Sequence, residues 1–309
     1  MTRDRWLLAG ALLLLLVPVW LEPAGSWLGE PDEARYAEIP REMLAVGDFV
    51  TPRLNGVPYF EKPPLLYWCN AASLSIFGET PWAARLPTRL AGLGTVAVLL
   101  TGVASIAGVE LGLAAGILYL ASPMGFVFSR VNLTDGLLTF FFTATLFAAR
   151  ETIARRAAGR PWLLWSAAAG LAGAGAFLTK GLVGVLFPGG ILVVWAFGTH
   201  RLRVLSSLLV APAPLVFLAA VVPWFALVSA RNPGFLQFFF VHEHFQRFAT
   251  TEALRPGPFY YFAAVFLAGF LPALPFFFAS LRGGTVTDWI GKQPDRLFLL
   301  IWFLVVTVV

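Results

Sequence analysis

The stretch RLAGLGTVAVLLTGVASIAGVELGLAAGILYLASPMGFVF, residues 89–128, decides the fold, because beyond Arg89 it carries a single charged side chain, Glu110. A membrane-crossing helix needs about 20 mainly apolar residues. This region supplies two such runs, 82–105 and 110–128. Working outward, further apolar runs bounded by charge, Pro or Gly lie at 6–21, 135–149, 162–178, 182–198, 204–228, 259–281 and from 297 onward. The chain is 58% hydrophobic and 13% charged, with mean hydropathy +0.77, against about 25% charge in soluble domains. These patterns predict an all-α polytopic membrane protein of about nine helices, read as one domain over 1–309.

Arg3 and Arg5 precede the first apolar run as they would in a signal peptide, but no small-residue cleavage site follows convincingly, so the run reads as an anchor. With the N-terminus cytoplasmic, the short Arg-bearing loops 150–161, 199–203 and 282–296 fall on the same inner side, as the bias of Lys and Arg requires. The inner side then holds 11 Lys/Arg and 5 Asp/Glu, and the outer side 11 and 12. The last run, 297–309, is too short to span, which predicts more protein downstream. Cys69 is the lone cysteine, so no internal disulfide exists and helix packing must hold the fold. The net charge of +5 does not form the basic, aromatic-interleaved face that nucleic acid needs.

The outer segment 22–81 is too polar to span and too rich in Pro and aromatic residues for a flexible linker. It is expected to lie in the interface as short helices. Within it, PDEARYAEIPREML (31–44) opens with Pro31, Asp32 and Glu33. Pro suits a helix start, and carboxylates suit the positive end of the helix dipole. The same two carboxylates, set beneath a bilayer face, can serve as base or charge stabiliser for a sugar. Asp32 is the first choice, and Arg35, three residues on, shares its helix face and either pairs with it or grips a phosphate.

A second motif, NGVPYFEKPPLLYW (55–68), wedges Glu61 and Lys62 between aromatics and stiffening prolines. The alternative is an interface anchor, with Lys62 snorkelling beside belt residues Tyr59, Tyr67 and Trp68. Glu61 is also suited to a divalent cation. Further charges mark helix ends on the outer side: Arg130 and Asp135, Lys180, and His242, Glu243, His244 and Arg247. Their gathering on one face exceeds what topology requires, although Asp135 also suits a helix cap and Lys180 a helix end. His242 and His244 are two apart, which does not put both imidazoles on one helix face, so a local zinc pair is disfavoured. The sequon Asn132-Leu133-Thr134 abuts a membrane helix and is set aside.

The ordered motifs DEARYAEIPREML, GDFVTPRLNGVPYFEKPPLLYW, LTDG, FLTKG and HEHFQRFAT resemble the lipid A 4-amino-4-deoxy-L-arabinose transferases. These are grouped with the dolichyl-phosphate-mannose protein mannosyltransferases and other C-type glycosyltransferases. The resemblance implies a C-type glycosyltransferase membrane domain, with Asp32 as its catalytic carboxylate and Asp135 as a second acid near the cavity. Lys62, Lys180 and Arg247 look like the cations that hold a carrier phosphate, and Glu33, Arg35 and Tyr59 join the substrate-binding set. Glu61 resembles a glutamate that binds a divalent metal together with a histidine far downstream. Pro40 departs from the helix-compatible residue usual in the aminoarabinose enzymes.

The resemblance implies partners too: a polyprenyl-phosphate-linked sugar donor, a lipid A or glycan acceptor, and the surrounding inner-membrane lipids, with the site on the periplasmic side. A departing phosphate needs cations more than it needs an acid, and inverting displacement needs one carboxylate. The rival readings are a protein O-mannosyltransferase with the same donor and a lipid transporter. The transporter is opposed by charges gathered on one face rather than at mid-membrane.

Overall fold

The computed structural model describes residues 3–22, 26–199, 202–210, 212–246, 258, 260–276, 278 and 294–308. Its helices are α1 (Arg3–Trp20), α2 (Asp32–Val46), α3 (Leu65–Phe77), α4 (Pro81–Ala107), α5 (Val109–Ala121), α6 (Pro123–Phe128) and α7 (Thr134–Ala157). They continue as α8 (Leu163–Lys180), α9 (Val183–Gly198), α10 (Leu202–Leu209), α11 (Ala213–Arg231), a π-helix (Gln237–Gln246), α12 (Tyr261–Gly269) and α13 (Pro294–Val308). A two-stranded antiparallel hairpin, β1 (Arg53–Leu54) and β2 (Val57–Pro58), lies between α2 and α3.

Among the described residues, Pro81–Ala107 and Thr134–Ala157 are helices long and apolar enough to cross a membrane, and the apolar run Leu205–Arg231 has comparable length shared between α10 and α11. Many large apolar side chains on the helices face outward, such as Leu13, Leu90, Leu164, Leu186 and Leu218. Lipid gives such residues no reason to hide. Two expected spans are interrupted. The run 110–128 breaks at Ser122-Pro123 into α5 and α6, since proline cannot donate into a preceding turn and Ser122 Oγ caps the new helix through Gly125 N. The run 204–228 divides into α10 and α11, the latter beginning after Pro212. The expected span 259–281 is described as α12 followed by a 3-10 turn at Leu271–Ala273.

Helices α7 and α8 run antiparallel through the short turn 158–162, where Arg155 lies over Trp165 and Arg156 over Trp162. Their approach depends on small residues. A Cβ at Gly175 would come within 2.4 Å of the Phe141 ring, and one at Gly170 within 2.2 Å of the Ala213 carbonyl on α11. Helices in lipid associate by such close backbone contact rather than by the hydrophobic effect. The consequence for the site is direct: the end of α8 meets the start of α7.

The opposite end of α7 carries a second set of charges. Arg150 is buried and reaches Asp295 of α13 at 2.6 Å and Glu151 at 3.1 Å, while Arg5 of α1 pairs with Glu110 of α5 at 2.6 Å. At the helical rise, Arg150 sits about 22 Å along α7 from Asp135. The two sets of charges therefore occupy opposite ends of the bundle.

Candidate active site

The segment 26–80 is built as two helices joined by the hairpin, where short interfacial helices alone were expected. Asn55 and Gly56 form the turn with φ of +54° and +78°. Both central residues of such a hairpin turn need positive φ, the reason for its Asn-Gly preference. Glu42 of α2 clamps the turn from below, accepting from the N–H of Gly56 at 3.0 Å and from that of Asn55. The preceding strip, 48–51, is held by α3 and the end of α11. Trp68 Nε1 donates to Phe49 O, Trp224 Nε1 to Val50 O, and Asn232 Nδ2 to Thr51 Oγ1, each within 2.9 Å. Phe60 then inserts into an aromatic cluster with Trp224, Phe225, Phe235 and Phe239. Thus Tyr59, Glu61 and Lys62 leave a rigid base.

Asp32, Arg35 and Tyr36 stand at helical spacing on one face of α2. Arg35 lies 3.4 Å from Asp32 and donates to the Tyr59 hydroxyl at 3.2 Å. Tyr59 is bonded in turn to Glu61. Tyr36 is the hub. Burial raises its hydroxyl first, and the charges of Asp32, Asp135 and Glu61 raise it further against the opposing pull of Arg35, leaving it pushed up to about 12. Burial, then Glu61, hold the Tyr59 hydroxyl above its ordinary range as well. Both phenols remain protonated donors at neutral pH.

Asp135 lies in the first turn of α7, and Lys180, the last residue of α8, approaches it at 2.7 Å. Both are about one-third exposed. Lys62 is mostly buried, donates to the Glu61 carbonyl at 2.9 Å and lies 3.9 Å from the buried Glu243 of the π-helix. His242 sits 3.6 Å from Glu243 and stacks on Phe238. A ten-residue π-helix is rare, and such segments concentrate at functional sites. Arg247 and the side chain of His244 lie outside the described residues. Among the described residues no three His, Cys, Asp or Glu side chains group as a metal site, and Glu61 would offer a cation a single carboxylate.

Two expectations need correction. Glu33, expected in the substrate-binding set, is turned into the bundle. Its carboxylate is buried and engaged by Arg85 of α4, Nε at 2.9 Å and NH2 at 2.7 Å. The same carboxylate accepts from the N–H of Asn132 at 2.7 Å and of Gly29 at 2.8 Å. Arg85 and the fully buried Arg89 also pair with Glu22, so Glu33 belongs to a buried framework rather than to the substrate surface. Arg130 likewise turns away from the site, donating to Leu21 O at the end of α1 at 2.6 Å. Asn132 is buried and hydrogen-bonded to Asn70, in keeping with setting the sequon aside. Sequence reasoning overlooked Tyr36, whose i, i+4 relation to Asp32 was a usable signal. It also overlooked Arg85, whose acidic partners lie 52 and 63 residues away.

The likenesses to known proteins concern the family and the fold. The undecaprenyl phosphate-alpha-4-amino-4-deoxy-L-arabinose arabinosyl transferase of Pectobacterium atrosepticum is 32% identical over 296 residues, covering 94% of this chain and 52% of that protein. A Sodalis glossinidius enzyme of the same name is 34% identical, covering 98% and 54%. The crystal structure of ArnT from Cupriavidus metallidurans bound to undecaprenyl phosphate superposes with a TM-score of 0.82 at 33% identity, over 99% of this chain and 55% of that one. Its apo state gives 0.80 at 34% identity, over 98% and 53%. The chain thus spans about half the length of the curated relatives it matches, and the shared fold is that of a multi-pass membrane protein. Residues 28–239, which contain α2, the hairpin, Asp135, Lys180 and the aromatic cluster, match the sequence profile of one family, and the chain belongs to it: the dolichyl-phosphate-mannose-protein mannosyltransferase family.

Proposed function

We propose that this chain is the membrane part of an inverting glycosyltransferase that takes a sugar from a polyprenyl-phosphate carrier, undecaprenyl phosphate in type, and passes it to lipid A or a related envelope acceptor. The observation that carries the proposal is the pairing of acids with cations and phenols across the loop and the helix ends: Arg35 joins Asp32 at 3.4 Å to the Tyr59 hydroxyl at 3.2 Å, and Lys180 meets Asp135 at 2.7 Å. Relatives named for undecaprenyl-phosphate-linked aminoarabinose transfer, and the fold shared with an undecaprenyl phosphate complex, support the donor class. We place the site on the periplasmic face of the inner membrane and the N-terminus in the cytoplasm, because the Arg-bearing ends Arg5, Arg150, Arg155 and Arg156 lie at the other end of the bundle.

In this reading the phosphate leaves the anomeric carbon as an already stabilised anion, so the protein needs cations around it. Lys62 and Lys180 stand at the rim of the acidic cluster, and Arg247 is assigned to the same task from its sequence motif. Asp32, half exposed and held by Arg35, faces the incoming acceptor. It takes a hydroxyl proton, or, for an already ionised lipid phosphate, steadies the oxocarbenium-like centre. The raised phenols of Tyr36 and Tyr59 keep their protons, and the Tyr59 hydroxyl accepts from Arg35.

A second acceptor class, protein hydroxyls, is favoured by the family to which the chain belongs. The deciding experiment supplies the full-length protein with undecaprenyl-phosphate-linked aminoarabinose and offers lipid A and a Ser/Thr peptide in parallel. Label in lipid A supports the proposal. Label in the peptide alone selects the second acceptor, and no consumption of any polyprenyl donor returns the transporter reading.

A further inference from the structure

A proline inside a helix removes an N–H and leaves the carbonyl four residues earlier without its in-helix donor. Helices α2 and α4 each contain one, Pro40 and Pro87, and the carbonyls released are those of Tyr36 and Ala83. In both cases a buried side chain of α3 supplies the missing donor. Asn70 Nδ2 donates to Tyr36 O at 3.0 Å, and Ser73 Oγ donates to Ala83 O at 2.6 Å. Asn70 and Ser73 are three residues apart, so one side of α3 serves both prolines.

Asn70 does more than repair α2. Its amide nitrogen also donates to Asn132 Oδ1 at 2.8 Å, and Asn132 sits just ahead of α7 with its own N–H on Glu33. One fully buried amide therefore ties the backbone of α2 at Tyr36, next to Asp32 and Arg35, to the turn that delivers Asp135. The peptide unit it holds belongs to Tyr36, one turn on from Asp32 and adjacent to Arg35.

We propose that Asn70 is a positioning residue for the transfer reaction. It sets Asp32 against Asp135 by supplying the donor that Pro40 removes, while Ser73 completes α4 at Pro87 in the same manner. The proline and the asparagine are then a matched pair: Asn70 is needed because residue 40 is proline. The inference rests on the glycosyltransferase reading above.

The test is a swap in the full-length protein, assayed with an undecaprenyl-phosphate-linked sugar, comparing wild type, Asn70→Ala, Pro40→Ala and the double variant. Asn70→Ala is expected to lower kcat about tenfold with donor KM within about twofold, the pattern of lost alignment rather than lost binding. In the Pro40→Ala background, where a backbone N–H again reaches Tyr36 O, the same change should cost clearly less than in wild type, the remainder being the lost bond to Asn132. An equal kcat cost in both backgrounds, or a cost confined to thermal stability, overturns the proposal. Should Asn70→Ala fail to fold, the double variant decides: folded and close to Pro40→Ala supports the pairing, and unfolded refutes it. If wild type consumes no donor, the functional reading has failed instead, and the thermal midpoints of the four forms still read the pairing: a drop on Asn70→Ala as large in the Pro40→Ala background as in wild type refutes it.

Discussion

Lys180 Nζ stands 2.7 Å from Asp135 Oδ1, where the last residue of α8 meets the first turn of α7. The pair is too exposed to add much stability, since such contacts are worth about 0–1 kcal/mol. On the proposed function the Lys180 ammonium serves the carrier phosphate. Lys180→Ala is therefore expected to leave the thermal midpoint nearly unchanged and to raise donor KM roughly 10-fold or more, the worth of a hydrogen bond to a charged group. Lys180→Arg should recover part of the loss. Steady-state kinetics across donor concentration check both.

The Glu33–Arg85 contact makes the opposite prediction. Burial alone would raise the Glu33 carboxyl, but Arg85 and the N–H groups of Asn132 and Gly29 outweigh it and hold the group below its ordinary range. A carboxyl with a folded pKa below its unfolded value of about 4.3 contributes stability that is full above that value and fades as pH falls through the folded one. Thermal midpoints measured from pH 6 down to pH 3 should fall more steeply for wild type than for Glu33→Gln. At neutral pH, Arg85→Ala should destabilise by about 3–5 kcal/mol, because it leaves a buried carboxylate without its partner.

The hairpin gives a third test. Gly56 holds φ of +78°, and Glu42 accepts its N–H at 3.0 Å. An alanine there is strained by roughly 1–2 kcal/mol. Because Tyr59, Glu61 and Lys62 follow directly, Gly56→Ala should raise donor KM several-fold, and Glu42→Ala should do likewise. Amide hydrogen exchange at 53–59 should quicken in both.

Much of this was legible in the sequence, and what escaped has physical reasons. Runs such as 82–105 and 182–198 are fixed by the length an apolar helix needs in lipid, so α4 and α9 fall close to their expected limits. Asp32 and Arg35 were legible because helical spacing puts residues three apart on one side. The same geometry should have separated Glu33, since neighbours on a helix point about 100° apart. Asn55-Gly56 was a readable turn signal that the reading of 22–81 as short interfacial helices left unused. Arg85, Asn70 and Asn132 were not readable, because their partners are brought to them only by packing α2 and α7 on α3 and α4.

The most direct measurement is turnover of undecaprenyl-phosphate-linked sugar by the full-length protein and its Asp32→Asn variant, with donor binding followed in parallel. The carboxylate is assigned to the chemical step, so the account predicts turnover lower by about 100-fold or more, with donor affinity changed no more than a few-fold. Turnover by Asp32→Asn within a few-fold of wild type would contradict it.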